Sequence, residues 1–256
     1  MWILILIVLA VVVYFVMSQA SSTNQSSKAS STNQSSKASS QNYTNQVDYS
    51  NLEVSLESDV PGQDYTHLCD LLAEGQWKEA DKETGRMMLL AGIMAIDRKN
   101  RHGEYDIGYR EDRLGVIHIQ FLPCKDLCTI DRLWLKYSKG RFGFSVQKRI
   151  VSEIGDDALS IVLSILEICN NKTSEMCSTF ERRIGWTTPN NNLKIYKALT
   201  FSIEAPYGHL PTATYYRKGT IHSQKDVSFE TEEVGDGICT NLVVTLNRLL
   251  SCGIAL

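Results

Sequence analysis

Residues 21–29 read SSTNQSSKA, and residues 30–38 repeat that nonapeptide without change. A third, degenerate start follows at Ser39. Serine, asparagine, glutamine and lysine cannot build a core, so such a stretch stays solvated. Two copies with no amphipathic face do not make a solenoid. Residues 21–64 are therefore expected as a flexible linker, with a root-mean-square span of roughly 35–40 Å. Any folded domain is confined to residues 65–256.

Ahead of the repeat, residues 1–17 read MWILILIVLAVVVYFVM, with no charge and no proline. A run of that length can just cross a bilayer as a helix. Residues 1–20 are expected as a transmembrane anchor. The alternative is a signal peptide cleaved near Ser18-Gln19-Ala20, although no basic region precedes the apolar run. Lys28 and Lys37 lie beyond the span, so the positive-inside rule points to a single-pass protein with its domain on the cytoplasmic side. The cysteines point the same way. Cys69, Cys124, Cys128, Cys169, Cys177, Cys239 and Cys252 form an odd, scattered set, which reads as reduced thiols. Cys124 and Cys128 share a helix face, but no second pair or nearby histidine completes a tetrahedral metal site, so they read as small buried residues.

Charge narrows the function. Residues 1–64 hold Lys28 and Lys37 against Asp48, Glu53, Glu57, Asp59 and Asp64, which accounts for the whole net charge of −3. The remaining domain is neutral and has no general attraction for nucleic acid.

From Tyr65 onward the apolar spacing is helical. Leu68, Leu71 and Leu72 share a face that stops at Gly75. Trp77, Ala80, Thr84, Met87, Met88 and Ala91 continue at helical spacing to Gly92. Residues 96–115, IDRKNRHGEYDIGYREDRLG, read as a long charged loop. VIHIQFL, 116–122, reads as a loop edge or short strand. Pro123 opens a helix with Leu127, Ile130, Leu133, Trp134 and Tyr137 on one face, ending near Gly140. The next stretch, GRFGFSVQKR (140–149), reads as a tight corner. Gly140 takes the left-handed position that ends a helix. Gly143 permits a second unusual angle. Phe142 and Phe144 point into the core, and Ser145 caps a helix over 146–154. Lys136, Lys139, Arg141, Lys148 and Arg149 read as surface charges. Further helices are expected over 159–169 and 242–250, the latter capped by Thr240. Pro189, Pro206, Pro211 and an Asn190-Asn191-Asn192 turn break up 180–216. No set of alternating strands stands out, so the fold class is mainly α with long irregular loops.

Catalytic motifs are absent from the sequence. The Gly140–Gly143 stretch lacks the spacing and the Gly-Lys-Ser/Thr ending of a phosphate loop. No nucleophile elbow or zincin pattern occurs. His67, His102, His118, His209 and His222 join no nucleophile or metal constellation. His209 beside its turn reads as a structural hydrogen-bonder. The chain is not expected to be an enzyme.

Three blocks carry a family resemblance: LLAEGQWKEADKET (71–84), LPCKDLCTIDRLWLKYSKGRFGFSVQKRI (122–150), and RIGW (183–186) with LTFSIEAPYGHLP (199–211). In this order they resemble the Genomes Uncoupled Four family, over about residues 65–216. The resemblance implies a compact helical domain shaped like a cupped hand. It implies non-covalent binding of protoporphyrin or magnesium protoporphyrin, and regulation of magnesium chelatase through its large subunit. It also implies a photosynthetic, cyanobacterial source. A porphyrin needs a broad apolar surface and a few cations for its propionates. In the family the ligand lies between two loops. The first corresponds to residues 93–119, with Leu114, Val116, Ile117 and Ile119 as apolar candidates. The second follows GHLP, where Arg217 matches a propionate-binding arginine. Arg86 is a further cationic candidate. Trp186 and Phe201 match aromatics near the cup, and Ile195 stands where the family has a tryptophan. A structural role in core packing is the alternative for each, Trp186, Phe201 and Arg217 included. The second loop also carries an acidic segment, about Thr220 to Cys239. An adaptor that keeps the fold but binds a protein through its altered loops is the alternative function.

Overall fold

The computed structural model describes residues 48–100, 114–154, 171–214, 218–223, 226–230 and 238–254. The apolar segment, the repeat, the expected helix over 159–169 and Arg217 lie outside the described residues. Among the described residues, no helix is long and apolar enough to cross a membrane.

The first helix, α1 (Thr66–Ala73), buries Leu68, Leu71 and Leu72, the face its spacing predicts. It stops where Gly75 adopts φ +70°, and the Gln76 amide closes back on the Leu71 carbonyl at 2.9 Å. The second, α2 (Trp77–Asn100), does not end at Gly92 as expected. It runs on for two further turns, through residues expected to open a loop. Gly92 has a different use. A short helix, α3 (Val116–Phe121), crosses α2 at this point. A Cβ on Gly92 would meet the His118 Cβ at 2.7 Å, its carbonyl oxygen at 2.8 Å and its Cα at 2.9 Å. The glycine is a seat for α3, not a stop.

The helical state of α3 also corrects the loop-edge or strand expectation for VIHIQFL. Burial of His118 and Ile119 against α2 gives six residues a helical solution that they could not hold alone. The His118 Nδ1 accepts the Gly115 N–H at 3.1 Å, satisfying one of the helix's first donors.

Next come α4 (Cys124–Tyr137), α5 (Phe144–Ile154), α6 (Asn171–Arg183) and α7 (Ile238–Ser251). On α4, Leu127, Ile130, Leu133 and Trp134 are buried as expected. The Trp134 Nε1 donates to the Thr84 Oγ1 of α2 at 2.9 Å. Trp77 and Phe142 pack on Trp134 with ring centroids 6.0 and 6.3 Å away. Phe142 and Phe144 are both fully buried at the corner. Gly140 ends α4 with φ +76°, and the Tyr49 ring fills the space where its Cβ would stand. Ser145 is not the cap. The α5 helix begins at Phe144, and the carboxylate at its N-terminus belongs to Asp131 of α4, which accepts the Ser145 N–H at 2.8 Å. Burial pushes the Asp131 carboxyl up, against the lowering effect of the Ser145 hydrogen bonds. Thr240 likewise lies inside α7, which starts two residues earlier.

Residues 48–64 are not a free tether. From 51 to 60 they run as an extended strap with alternating exposure, Leu52, Val54, Leu56, Ser58 and Val60 turned inward. Val60 joins the core, with Val54 and Leu56 packed against it. Asp126, buried at the start of α4, holds the strap. It accepts from the Ser58 hydroxyl, from the Asp59 N–H and, at 2.7 Å, from the Tyr65 hydroxyl. A buried carboxylate needs such donors, and the strap supplies them. The folded body therefore begins before Tyr65.

One antiparallel pair of strands runs into the acidic segment: β1 (Lys218–Ser223) and β2 (Asp226–Glu230), registered Lys218 to Glu230 and Ile221 to Val227. The described fold is otherwise helical or irregular. Finally, the cysteines are not all reduced. Cys124 and Cys252 form a disulfide across 128 residues, with Cα atoms 5.2 Å apart. Cys177 is disulfide-bonded as well. Cys69 and Cys128 are free. The start of α4 and the end of α7 meet in space, a proximity no sequence spacing expresses. The cysteine argument for a reducing compartment therefore falls away.

Candidate functional site

The segment from Ile195 to Thr214 is irregular yet firmly held. Its first anchor is the GRFGFSVQKR corner. The Arg141 Nε donates to the Ala205 carbonyl at 2.8 Å. The Gly208 N–H returns to the Arg141 carbonyl at 3.0 Å, and the Gly143 N–H reaches Leu210 O at 3.1 Å. The Gln147 Nε2 bonds both Gly208 O and Pro211 O, at 3.0 and 2.9 Å. Arg141 is thus no surface charge; it latches the segment to the corner. Lys148 is also committed, to the Ile254 carbonyl at 2.7 Å.

The second anchor is Asp81 on α2. Its carboxylate accepts the Thr212 N–H at 2.6 Å, the Thr212 hydroxyl at 2.7 Å and the Tyr196 hydroxyl at 3.0 Å. The third is His209. Its Nε2 accepts the Thr200 N–H at 3.1 Å, so Nδ1 carries the proton and donates to Ile184 O at 2.6 Å. Burial holds its pKa below the usual histidine value. His209 is the structural hydrogen-bonder its sequence context predicts.

These anchors leave an apolar ledge. Phe201 packs on Tyr196 with ring centroids 4.9 Å apart. Ile195, beside Tyr196, is 51% exposed. The Lys78 Nζ of α2 stands 5.7 Å from the centre of the half-buried Phe201 ring. Phe201 thus sits against Tyr196 and the first turn of α2, and Ile195 is the exposed chain neighbour of Tyr196. Trp186 lies beneath, fully buried, its Nε1 donating to His209 O at 2.9 Å and its ring edge-on to Phe180. It does not reach the surface.

The first-loop candidates gather elsewhere on α2. Leu114 and Ile119 are buried in the core, while Val116 and Ile117 are half-exposed. Asp81 and Gly92 are separated by only about 20° around the helix and about 16 Å along it. The ledge and α3 therefore attach to one stripe of α2. Arg86 is turned about 140° from Asp81. It pairs with Glu83 through two hydrogen bonds, at 2.7 and 2.5 Å. With His67, Leu71 and Gln76 it lines a separate cleft of about 430 Å³. The structure thus packs Phe201 on Tyr196, places Val116 and Ile117 half-exposed on α3, and sets Arg86 apart in its pair with Glu83.

Asp81 and Lys78 were not legible as site residues, because in sequence they are ordinary charges on an amphipathic helix. One clue was available for Asp81: it follows Ala80 and precedes Thr84 on the apolar face.

The arrangement defines a mainly helical domain that offers its surface through latched inter-helix segments, with no catalytic constellation among the described residues. Residues 57–225 match the family model described as GUN4-like, well over half of the chain, and the chain belongs to that family. It is similar to the Ycf53-like protein of Synechocystis sp., 28% identical over 157 residues, which is 61% of this chain and 54% of that one. It is also similar to a protein of Arabidopsis thaliana named tetrapyrrole-binding protein, chloroplastic, 32% identical over 87 residues, 34% of this chain and 28% of that one. Among solved structures, GUN4 from Chlamydomonas reinhardtii aligns with a TM-score of 0.45 at 20% identity, over 77% of this chain and 95% of that one. The chain spans about half the length of the Ycf53-like relative it matches.

Proposed function

We propose that this domain binds a tetrapyrrole, protoporphyrin or its magnesium form, and regulates or supplies magnesium chelatase through that enzyme's large subunit without itself being an enzyme. The carrying observation is membership of the GUN4-like family over residues 57–225, one of whose similar proteins is named as tetrapyrrole-binding. The residues fit such a ligand. Ile195 and Phe201 offer apolar surface that a macrocycle face would cover, and Lys78, near the Phe201 ring, supplies a cation for a carboxylate edge. Val116 and Ile117 form the second apolar group. Leu114, Ile119 and Trp186 support these surfaces from the core, and Arg217 takes a propionate. Arg86, already paired with Glu83, contributes least. Residues 1–20 anchor the chain in a membrane, and the repeat-bearing segment that starts at residue 21 tethers it. Placement on the cytoplasmic side now rests on Lys28 and Lys37 alone.

Titration of the full chain, in detergent, with deuteroporphyrin is the test. A red-shifted Soret band and quenched tryptophan fluorescence at micromolar ligand are expected, with weaker binding by Ile195→Glu and Arg217→Ala. No spectral change at tens of micromolar rejects tetrapyrrole binding. It then favours the adaptor function, in which Ile195, Ile203 and Tyr207, all exposed apolar side chains, meet a protein partner.

A further inference from the structure

The Cys124–Cys252 disulfide sits at a junction. Cys124 is the first residue of α4, and Cys252 follows the last residue of α7. Both are half-buried. Around them the Arg248 Nε of α7 donates to the Leu122 carbonyl at the end of α3, at 2.8 Å. The Lys148 Nζ of α5 bonds Ile254 O at 2.7 Å. Leu242, Leu246 and Leu249 bury the inner face of α7. A six-residue helix such as α3 has little stability of its own. It is held between Gly92 of α2 on one side and α7 on the other. The disulfide fastens α7 to the residue that opens α4, three positions past the end of α3.

We propose that Cys124–Cys252 is a thiol–disulfide exchange site, reduced by a protein or small-molecule dithiol, and that its reduction loosens α7 from the α3–α4 junction. A thiolate of the dithiol attacks the Cys252 Sγ and forms a mixed disulfide. The Cys124 sulfur leaves as a thiolate, favoured by its place at the positive end of the fourteen-residue α4 helix. The second thiol of the reductant then displaces Cys252, and the reductant departs as its own disulfide. Two electrons and two protons pass to the cysteine pair. Oxidised dithiol reverses the process.

The exchange stands on its own geometry; its effect on ligand binding rests on the tetrapyrrole reading, through Val116 and Ile117 on α3. The full chain, purified oxidised, is treated with dithiothreitol under native conditions. Alkylation with mass spectrometry assigns the thiols, and amide hydrogen exchange follows residues 242–251. Cys124 and Cys252 are expected to become alkylated, with exchange in α7 rising about tenfold or more. Reoxidation restores protection. Because Cys177 is also reducible, a Cys124→Ser/Cys252→Ser variant provides the control, with α7 exchanging fast whether or not reductant is present. Cysteines that stay protected until the chain is denatured overturn the proposal, as does α7 exchange that is equal in both states. Deuteroporphyrin titrations in both states separate the remaining claims. Weaker binding on reduction supports the link to α3, and equal binding breaks it. No binding in either state rejects the tetrapyrrole reading, while the exchange data still decide the disulfide.

Discussion

Gly92→Ala puts two known effects in opposition. On an isolated helix, alanine in place of glycine stabilises by about 1 kcal/mol. Here the added Cβ would lie 2.7–2.9 Å from three atoms of His118, two of them backbone and the third its Cβ. None of these can swing away as a side-chain tip could. Normal contact needs about 3.5 Å, so α3 must retreat by roughly 0.7 Å. It has little room to do so, because Arg248 holds Leu122 at one end and the disulfide holds Cys124 just beyond. Overpacking against a constrained neighbour costs up to about 3 kcal/mol. Subtracting the propensity gain leaves a loss of about 2 kcal/mol. For a domain of this size that lowers Tm by roughly 4–8 °C. A thermal melt followed by circular dichroism reads it, and hydrogen exchange across 116–122 should rise with it. An unchanged or raised Tm would mean that α3 does not rest on Gly92, and the proposed position of Val116 and Ile117 would go with it.

Asp81→Ala leaves the buried Thr212 and Tyr196 donors without their acceptor, and should cost about 3 kcal/mol or more; a melt checks the stability, and hydrogen exchange checks whether loosening is concentrated in 205–214. Cys252→Ser opens a loop closed across 128 residues, for which chain entropy sets a loss of up to about 5 kcal/mol, read as a lower urea midpoint under non-reducing conditions. Two of the groups shifted by burial, Glu181 and His118, oppose each other in pH. Burial raises the Glu181 carboxyl from 4.5 to about 7, so the native state holds the extra proton and stability declines as pH rises through that interval. Burial lowers His118 from 6.5 to about 4, so stability is complete above 6.5 and declines as pH falls toward 4. Glu181→Gln should therefore raise Tm at pH 8, and the gain in Tm relative to the unsubstituted chain should shrink as pH falls from about 7 toward 4.5. A variant whose Tm at pH 8 is unchanged refutes the Glu181 assignment.

The sequence by itself determined what depends on neighbours a few residues away. The leucines at 68, 71 and 72, the left-handed stops at Gly75 and Gly140, and the inward pair Phe142 and Phe144 follow from helical period and backbone sterics alone. The three blocks around them were also enough for the family. Gly92 shows where such reasoning ends. A glycine at the close of an apolar period reads as a stop, and only the approach of α3 turns it into a contact surface. Residues 51–60 carried a legible alternation of Leu52, Val54, Leu56 and Val60, but the low-complexity run before them obscured it. The tertiary structure decided everything that needs two distant segments at one point. Asp126 and Asp131 became interior acceptors because a strap and a helix end arrived beside them. Arg141 became a latch because Ala205 came within reach. Cys124 found Cys252 across most of the domain. Asp81 and Arg86, five residues apart on one helix, took different roles because a helix sends such positions to different sides, and only the fold decides what stands on each side.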